Sequence, residues 1–161
     1  MQVLGGQHDI RTGLYTDAQR KRRDSSPWTM VQAILAPLQF LVFLVSLGLV
    51  LRTLLTGEGA EIANASVIMK TMLLYTIMVT GSLWEKDVFG KYLFAPAFFW
   101  EDVVSFGVIA LHTAYLVCLL KGWLSESGLM WLALVAYGAY VTNAAQFLLK
   151  LRAARLQSAG A

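Results

Sequence analysis

Four long apolar runs dominate the chain, covering residues 28–51, 62–84, 103–123 and 129–149. Each is 21 to 24 residues long, with short polar breaks between them. A helix needs ~20 mostly apolar residues to cross the hydrocarbon core of a bilayer. The pattern therefore predicts an all-α polytopic membrane protein, a four-transmembrane-helix bundle. The runs are continuous and lack the ~10-residue alternating segments of a transmembrane barrel, which excludes that fold. Trp28, Trp84, Trp100, Trp123 and Trp131 fall at or beside the run ends, where amphipathic rings settle at the headgroup level.

Composition agrees. Of 161 residues, 57% are hydrophobic and 14% charged, against ~25% charged in soluble domains. Cys118 is the single cysteine, which rules out a disulfide framework and any CxxC metal or redox motif. The net charge is +3. Most basic residues flank apolar runs instead of lining a polar surface, so no nucleic-acid partner is expected.

The organisation read from this is a basic tail (1–27), a membrane domain (28–149) with a central loop (85–102), and a second basic tail (150–161). The first apolar run lies too far from Met1 for a cleavable signal, and the stretch before Tyr15 is expected to be disordered. Ser25, Ser26 and Pro27 suit a helix start. Ten lysines and arginines lie in the two tails and the central loop, against Arg52 and Lys121 in the other loops. That bias places both termini and the central loop in the cytoplasm.

The segment 84–102 reads WEKDVFGKYLFAPAFFWED. Interfacial aromatics and snorkelling lysines explain part of it, but not four carboxylates around one apolar loop. Glu85 and Asp87 end the second span, where the helix dipole opposes them. Glu101 and Asp102 begin the third, where it favours them. At ~100° per residue, Glu101, Ser105, His112 and Tyr115 share one side of the third helix, with His112 ~16 Å deeper than Glu101. An ionisable group at that depth should face the bundle interior. His112 is read either as a ligand or proton-transfer residue or as a neutral hydrogen-bonding one. Tyr140, Asn143, Gln146 and Lys150 form a second polar stripe on the fourth helix. Gln32, Gln39 and Ser46 on the first are read as interhelical hydrogen-bonding residues, and Pro37 as a kink. Lys70 either snorkels outward or pairs with a carboxylate.

Two stretches carry a family resemblance: WTMVQAILAPLQFLVFLVSLGLVLR (28–52) and LLYTIMVTGSLWEKDVFGKYLFAPAFFWEDVVS (73–105). With LYTDAQRKRRD before them and AYVTNAAQFLLKLR after, the chain resembles the 3-vinyl (bacterio)chlorophyllide hydratases of phototrophic bacteria, in older nomenclature 2-vinyl bacteriochlorophyllide hydratases. The resemblance implies a hydro-lyase of the intracytoplasmic photosynthetic membrane, with its site facing the cytoplasm. Water adds to the 3-vinyl group of a chlorophyllide or bacteriochlorophyllide, giving the 3-(1-hydroxyethyl) product on the route to bacteriochlorophyll a. No cofactor or metal of the protein's own is implied. Water is the co-substrate, and the magnesium belongs to the tetrapyrrole.

The implied chemistry assigns roles to residues. A general acid protonates the terminal vinyl carbon and a second group activates water. Glu101 is the preferred donor, sharing a face with Ser105 and His112 beside Phe99 and Trp100. Glu85 is the second carboxylate, Asp87 a further member of the cluster, and Asp102 the residue better placed to cap the helix. The flat macrocycle suits Phe94, Phe98, Phe99 and Trp100, and its propionate suits Lys86 or Lys91. Ser105, Asn143 and Gln146 complete the polar lining, and His112 is a candidate axial ligand to the substrate magnesium. The competing class is a non-catalytic pigment-binding or assembly subunit. Homo-oligomerisation and contact with other pigment-biosynthesis enzymes are left open.

Overall fold

Thr16 opens the helical part of the chain. Its backbone N–H donates to the Gln19 side chain at 2.9 Å, while its hydroxyl accepts from Gln19 N at 3.2 Å. This reciprocal cap starts α1 (Asp17–Ser25). The computed structural model of the chain describes residues 13–160. Most of the stretch expected to be disordered, 1–12, lies outside the described residues. The basic tail is thus folded from Thr16 onward, a feature its polar composition did not announce. Arg22 Nε donates to Val88 O at 3.0 Å, which docks α1 on the end of the third helix.

Ser26 caps α2 (Pro27–Thr56), accepting from Trp28 N with Pro27 in the first turn, as the sequence predicts. The helix runs through Pro37. Helix α3 (Ala60–Phe89) ends at Gly90, whose φ of 80° is the left-handed geometry that lets a glycine stop a helix. A single 3₁₀ turn (Pro96–Phe98) leads into α4 (Phe99–Lys121), and Ser125 caps α5 (Glu126–Ala159). All four long helices are long and apolar enough to cross a membrane. They overrun the apolar runs: α3 has 30 residues and α5 has 34. At ~1.5 Å per residue α3 matches a bilayer of ~40–45 Å that includes its headgroups, and α5 reaches beyond it. Glu85 and Lys150 therefore ride on rigid helix ends and not on loops.

Helix α2 packs on α3 and α4 on α5, with α2–α5 and α3–α4 contacts closing a four-helix ring. The outside is apolar: Leu44, Val45, Ile68, Val79 and Leu148 are exposed. The inside mixes small and aromatic residues (Ala63, Ala133, Tyr115, Tyr137) with buried polar ones. Lipid offers no hydrophobic drive between helices, so close packing and interhelical hydrogen bonds hold such a bundle. Two predicted bonding residues serve so. Gln32 Nε2 donates to Thr80 Oγ1 at 2.6 Å, and Ser46 Oγ bonds Ser66 Oγ at 2.7 Å and Tyr137 OH at 2.5 Å.

Candidate active site

The polar residues of the central segment separate into a buried pair, an ion pair and a solvent rim. Glu85, at the end of α3, is 4% exposed, and Asp102, in the first turn of α4, is 3% exposed. The chain between them folds back so that two consecutive amides point at them. Ala95 N donates to Glu85 Oε2 at 3.2 Å and Phe94 N to Asp102 Oδ2 at 2.8 Å. The turn holds Phe94 at φ 59°, the sole non-glycine with positive φ among the described residues. The two carboxyl groups are thereby brought together as electrostatic neighbours. Two neighbouring carboxyls out of water favour holding one proton between them over carrying two charges. The capping role expected of Asp102 is not seen: α4 has no side-chain cap, and Asp102 faces Phe94 and Glu85 instead.

Glu101 is buried one residue earlier, as its helical face predicts. Both its carboxylate oxygens lie 2.7 Å from Lys150 Nζ, which also donates to Ala97 O. Asn143 Nδ2 donates to Glu101 O at 2.9 Å. Ser105 Oγ lies 2.7 Å from the same carbonyl and 3.0 Å from Asn143 Oδ1. Gln146 Oε1 accepts from Asn143 at 3.4 Å. The stripe on α5 thus meets the stripe on α4, with Lys150 as counter-ion to Glu101. Sequence reasoning placed Lys150 on that stripe but gave it no partner. Its spacing of seven from Asn143 was the available signal.

Asp87 is apart from this cluster. It is exposed, and Ser26 Oγ donates to its Oδ2 at 2.7 Å, which ties α2 to α3. Lys86 and Lys91 are exposed at the rim, Lys86 near Gly90 O and the Tyr92 ring.

The aromatics divide by burial. Phe98, 2% exposed, is core: Trp84, Phe89 and Phe147 surround it with centroids 5.6 to 5.8 Å away. Tyr15 extends this cluster, stacked on Phe89 at 5.8 Å. Burial pushes the Tyr15 phenol above its ordinary range, against the pull of Arg23, whose guanidinium lies 4.8 Å from the ring. Phe94, Phe99 and Trp100 are exposed. Phe94 stacks on Phe106 at 5.5 Å and tilts against Phe99 at 5.6 Å. Phe106, which the sequence did not single out, makes this a ledge beside the carboxyl pair. An apolar groove of about 550 Å³ continues from it along α4, lined by Phe106, Ala110, Thr113, Val117 and Trp123 among others.

His112 is not part of this assembly. It is fully buried in the bundle, with Nδ1 2.8 Å from Val108 O and its ring 5.8 Å from Tyr137. Among the described residues, no three His, Cys, Asp or Glu side chains form a metal-binding group.

The fold and site define a helical membrane protein with an acid pair and an aromatic ledge at one end of its bundle. Residues 15–153 match the family model described as 2-vinyl bacteriochlorophyllide hydratase (BCHF), and the chain belongs to that family. A protein of that name from Rhodobacter capsulatus is 66% identical over 153 residues, covering 95% of this chain and 89% of the relative. Another from Cereibacter sphaeroides is 69% identical over 144 residues, covering 89% of each. No solved structure matches the chain.

Proposed function

We propose that the protein adds water to the vinyl group of a bacteriochlorophyllide or chlorophyllide, with the Glu85–Asp102 pair as its acid and base. The carrying observation is the pair of buried carboxyls, held by two successive backbone amides beside an exposed aromatic ledge. The macrocycle lies against Phe94, Phe99 and Phe106 with its propionate toward Lys86 or Lys91. The pair's proton goes to the terminal vinyl carbon, and the resulting cation is delocalised into the ring. Water attacks the carbon next to the ring, and its proton passes to the carboxylate left behind. The addition is redox-neutral, so no electron carrier enters.

Glu101 has a different part in this reading. Fully ion-paired, it is suited to hold negative charge near the cation, and not to give up a proton. Ser105, Asn143 and Gln146 hold that ion pair in place. His112 is left out of magnesium ligation, because its imidazole is enclosed by packed helices with no face open to a chlorin. The charge bias supports a cytoplasmic site and cytoplasmic termini in the inner photosynthetic membrane. A reporter fused at Gly90 that reads as periplasmic contradicts that orientation.

Incubation of chlorophyllide a with the purified protein in detergent tests the activity. Loss of the vinyl conjugation gives a blue-shifted absorption band with water as the sole co-substrate. Tight binding without that shift supports the competing pigment-binding role and overturns the hydratase.

A further inference from the structure

Well away from the carboxyl pair, each of three spanning helices places one unpartnered polar atom in the centre of the bundle. These are Gln39 Oε1 on α2, Lys70 Nζ on α3 and His112 Nε2 on α4. Gln39 is 4% exposed, and Lys70 and His112 are fully buried. Helix α5 joins them through its aromatics. Lys70 Nζ sits 3.4 Å from the Tyr140 ring centroid, and the Gln39 side chain neighbours the same tyrosine. His112 packs against Tyr137, and Phe43 against both tyrosines. Lys70 and His112 are electrostatic neighbours. Such atoms are not left bare in a membrane core without large cost.

Their chemistry identifies what satisfies them. Val108 O only accepts, so the His112 nitrogen bonded to it, Nδ1, carries the hydrogen. Burial in the bundle core disfavours the imidazolium, and in the neutral ring Nε2 is an acceptor. Gln39 Oε1 is a second acceptor, and Lys70 Nζ brings N–H donors. A bound anion leaves both acceptors unsatisfied, and a metal cation leaves the Lys70 N–H groups without an acceptor. A ligand that accepts one hydrogen bond and donates two meets all three needs, and it must be small enough for a packed core. We propose that Gln39, Lys70 and His112 form a binding site for an internal water molecule that cross-links α2, α3 and α4 at mid-bundle.

The proposal is independent of the hydratase reading, and solid-state NMR of the full chain in lipid bilayers tests it. The sequence has two histidines, His8 and His112, so His8→Asn in histidine-labelled protein leaves one imidazole signal. Magnetisation transferred from water should reach His112 Nε2 faster than it reaches the neighbouring buried Val108 methyls. The transfer should be lost in the double variant Gln39→Leu/Lys70→Met. Transfer to His112 no faster than to Val108 overturns the site. So does transfer that persists in the double variant, or a direct coupling across a hydrogen bond between Lys70 Nζ and His112 Nε2.

Discussion

Glu85 and Asp102, seventeen positions apart and on different helices, are buried side by side, and each accepts from one of two successive backbone amides. One proton shared between two such carboxyls makes a pair both donor and acceptor. The neighbouring Glu101, which sequence reasoning preferred, already has its counter-ion in Lys150. In the proposed reading the two consecutive acids Glu101 and Asp102 do different work, charge stabilisation at Glu101 and proton transfer at the pair that Asp102 forms with Glu85.

Loss of either member of the pair removes the proton relay while keeping size and polarity. Glu85→Gln and Asp102→Asn are each expected to lower turnover by ~10²–10⁴-fold, the usual worth of general acid–base catalysis. Binding of the macrocycle should change little. Steady-state rates alongside absorbance titration separate the two effects, and near-normal turnover in both variants removes the pair from the chemistry.

The pair's dual role fixes its pH response. Water addition needs one proton on the pair and one free carboxylate to take the proton from water. As pH rises, the shared proton leaves and the donor is gone, so the rate falls on the alkaline side. As pH falls, the second carboxylate is protonated and the acceptor is gone, so the rate falls on the acid side. The profile of kcat against pH should be a bell whose two limbs belong to the pair jointly. A rate that stays level across the alkaline side contradicts this.

The spans were legible because a bilayer sets a length that run-counting reads directly, and because ~3.6 residues per turn places Glu101, Ser105, His112 and Tyr115 on one face. All four are buried together. The pairing of charges was not legible. Lys150 meets Glu101 across 49 positions, and Asp87 is taken by Ser26 across 61. Such choices depend on helix rotation and register, which periodicity leaves open. Phe98 and Phe99 were read as equivalent ring contacts, yet one turn of 3₁₀ backbone sends Phe98 inward and leaves Phe99 outside.

Lys150→Met leaves Glu101 buried with no cation. An unsatisfied buried group costs ~1–3 kcal/mol, more when charged, and partial exposure of Lys150 (28%) tempers that. A loss of ~1–3 kcal/mol is expected in thermal unfolding in detergent. The double variant Lys150→Met/Glu101→Gln should be more stable than Lys150→Met alone, because the stranded charge is gone. If the two losses simply add, the ion pair is not coupled as the geometry requires.

Phe94 and Phe98 separate binding from folding. Phe98 is enclosed by Trp84, Phe89 and Phe147, so Phe98→Ala should destabilise by ~3–5 kcal/mol, as for other buried phenylalanines. Phe94 is 39% exposed and held at φ 59°. A left-handed backbone costs a non-glycine residue ~1–2 kcal/mol, and glycine removes that strain. Against this gain stand ~0.5–1 kcal/mol of added chain entropy and ~0.5–1.5 kcal/mol of lost ring packing on Phe106. The opposing effects nearly cancel, so Phe94→Gly should leave the unfolding temperature almost unchanged. Its effect belongs to the ledge: macrocycle binding should weaken by ~10-fold, since one aromatic stacking contact is worth ~0.5–1.5 kcal/mol and ~1.4 kcal/mol is a factor of ten. Unfolding curves and pigment titrations on the two variants measure both quantities. Unchanged macrocycle affinity in Phe94→Gly moves the substrate off this ledge.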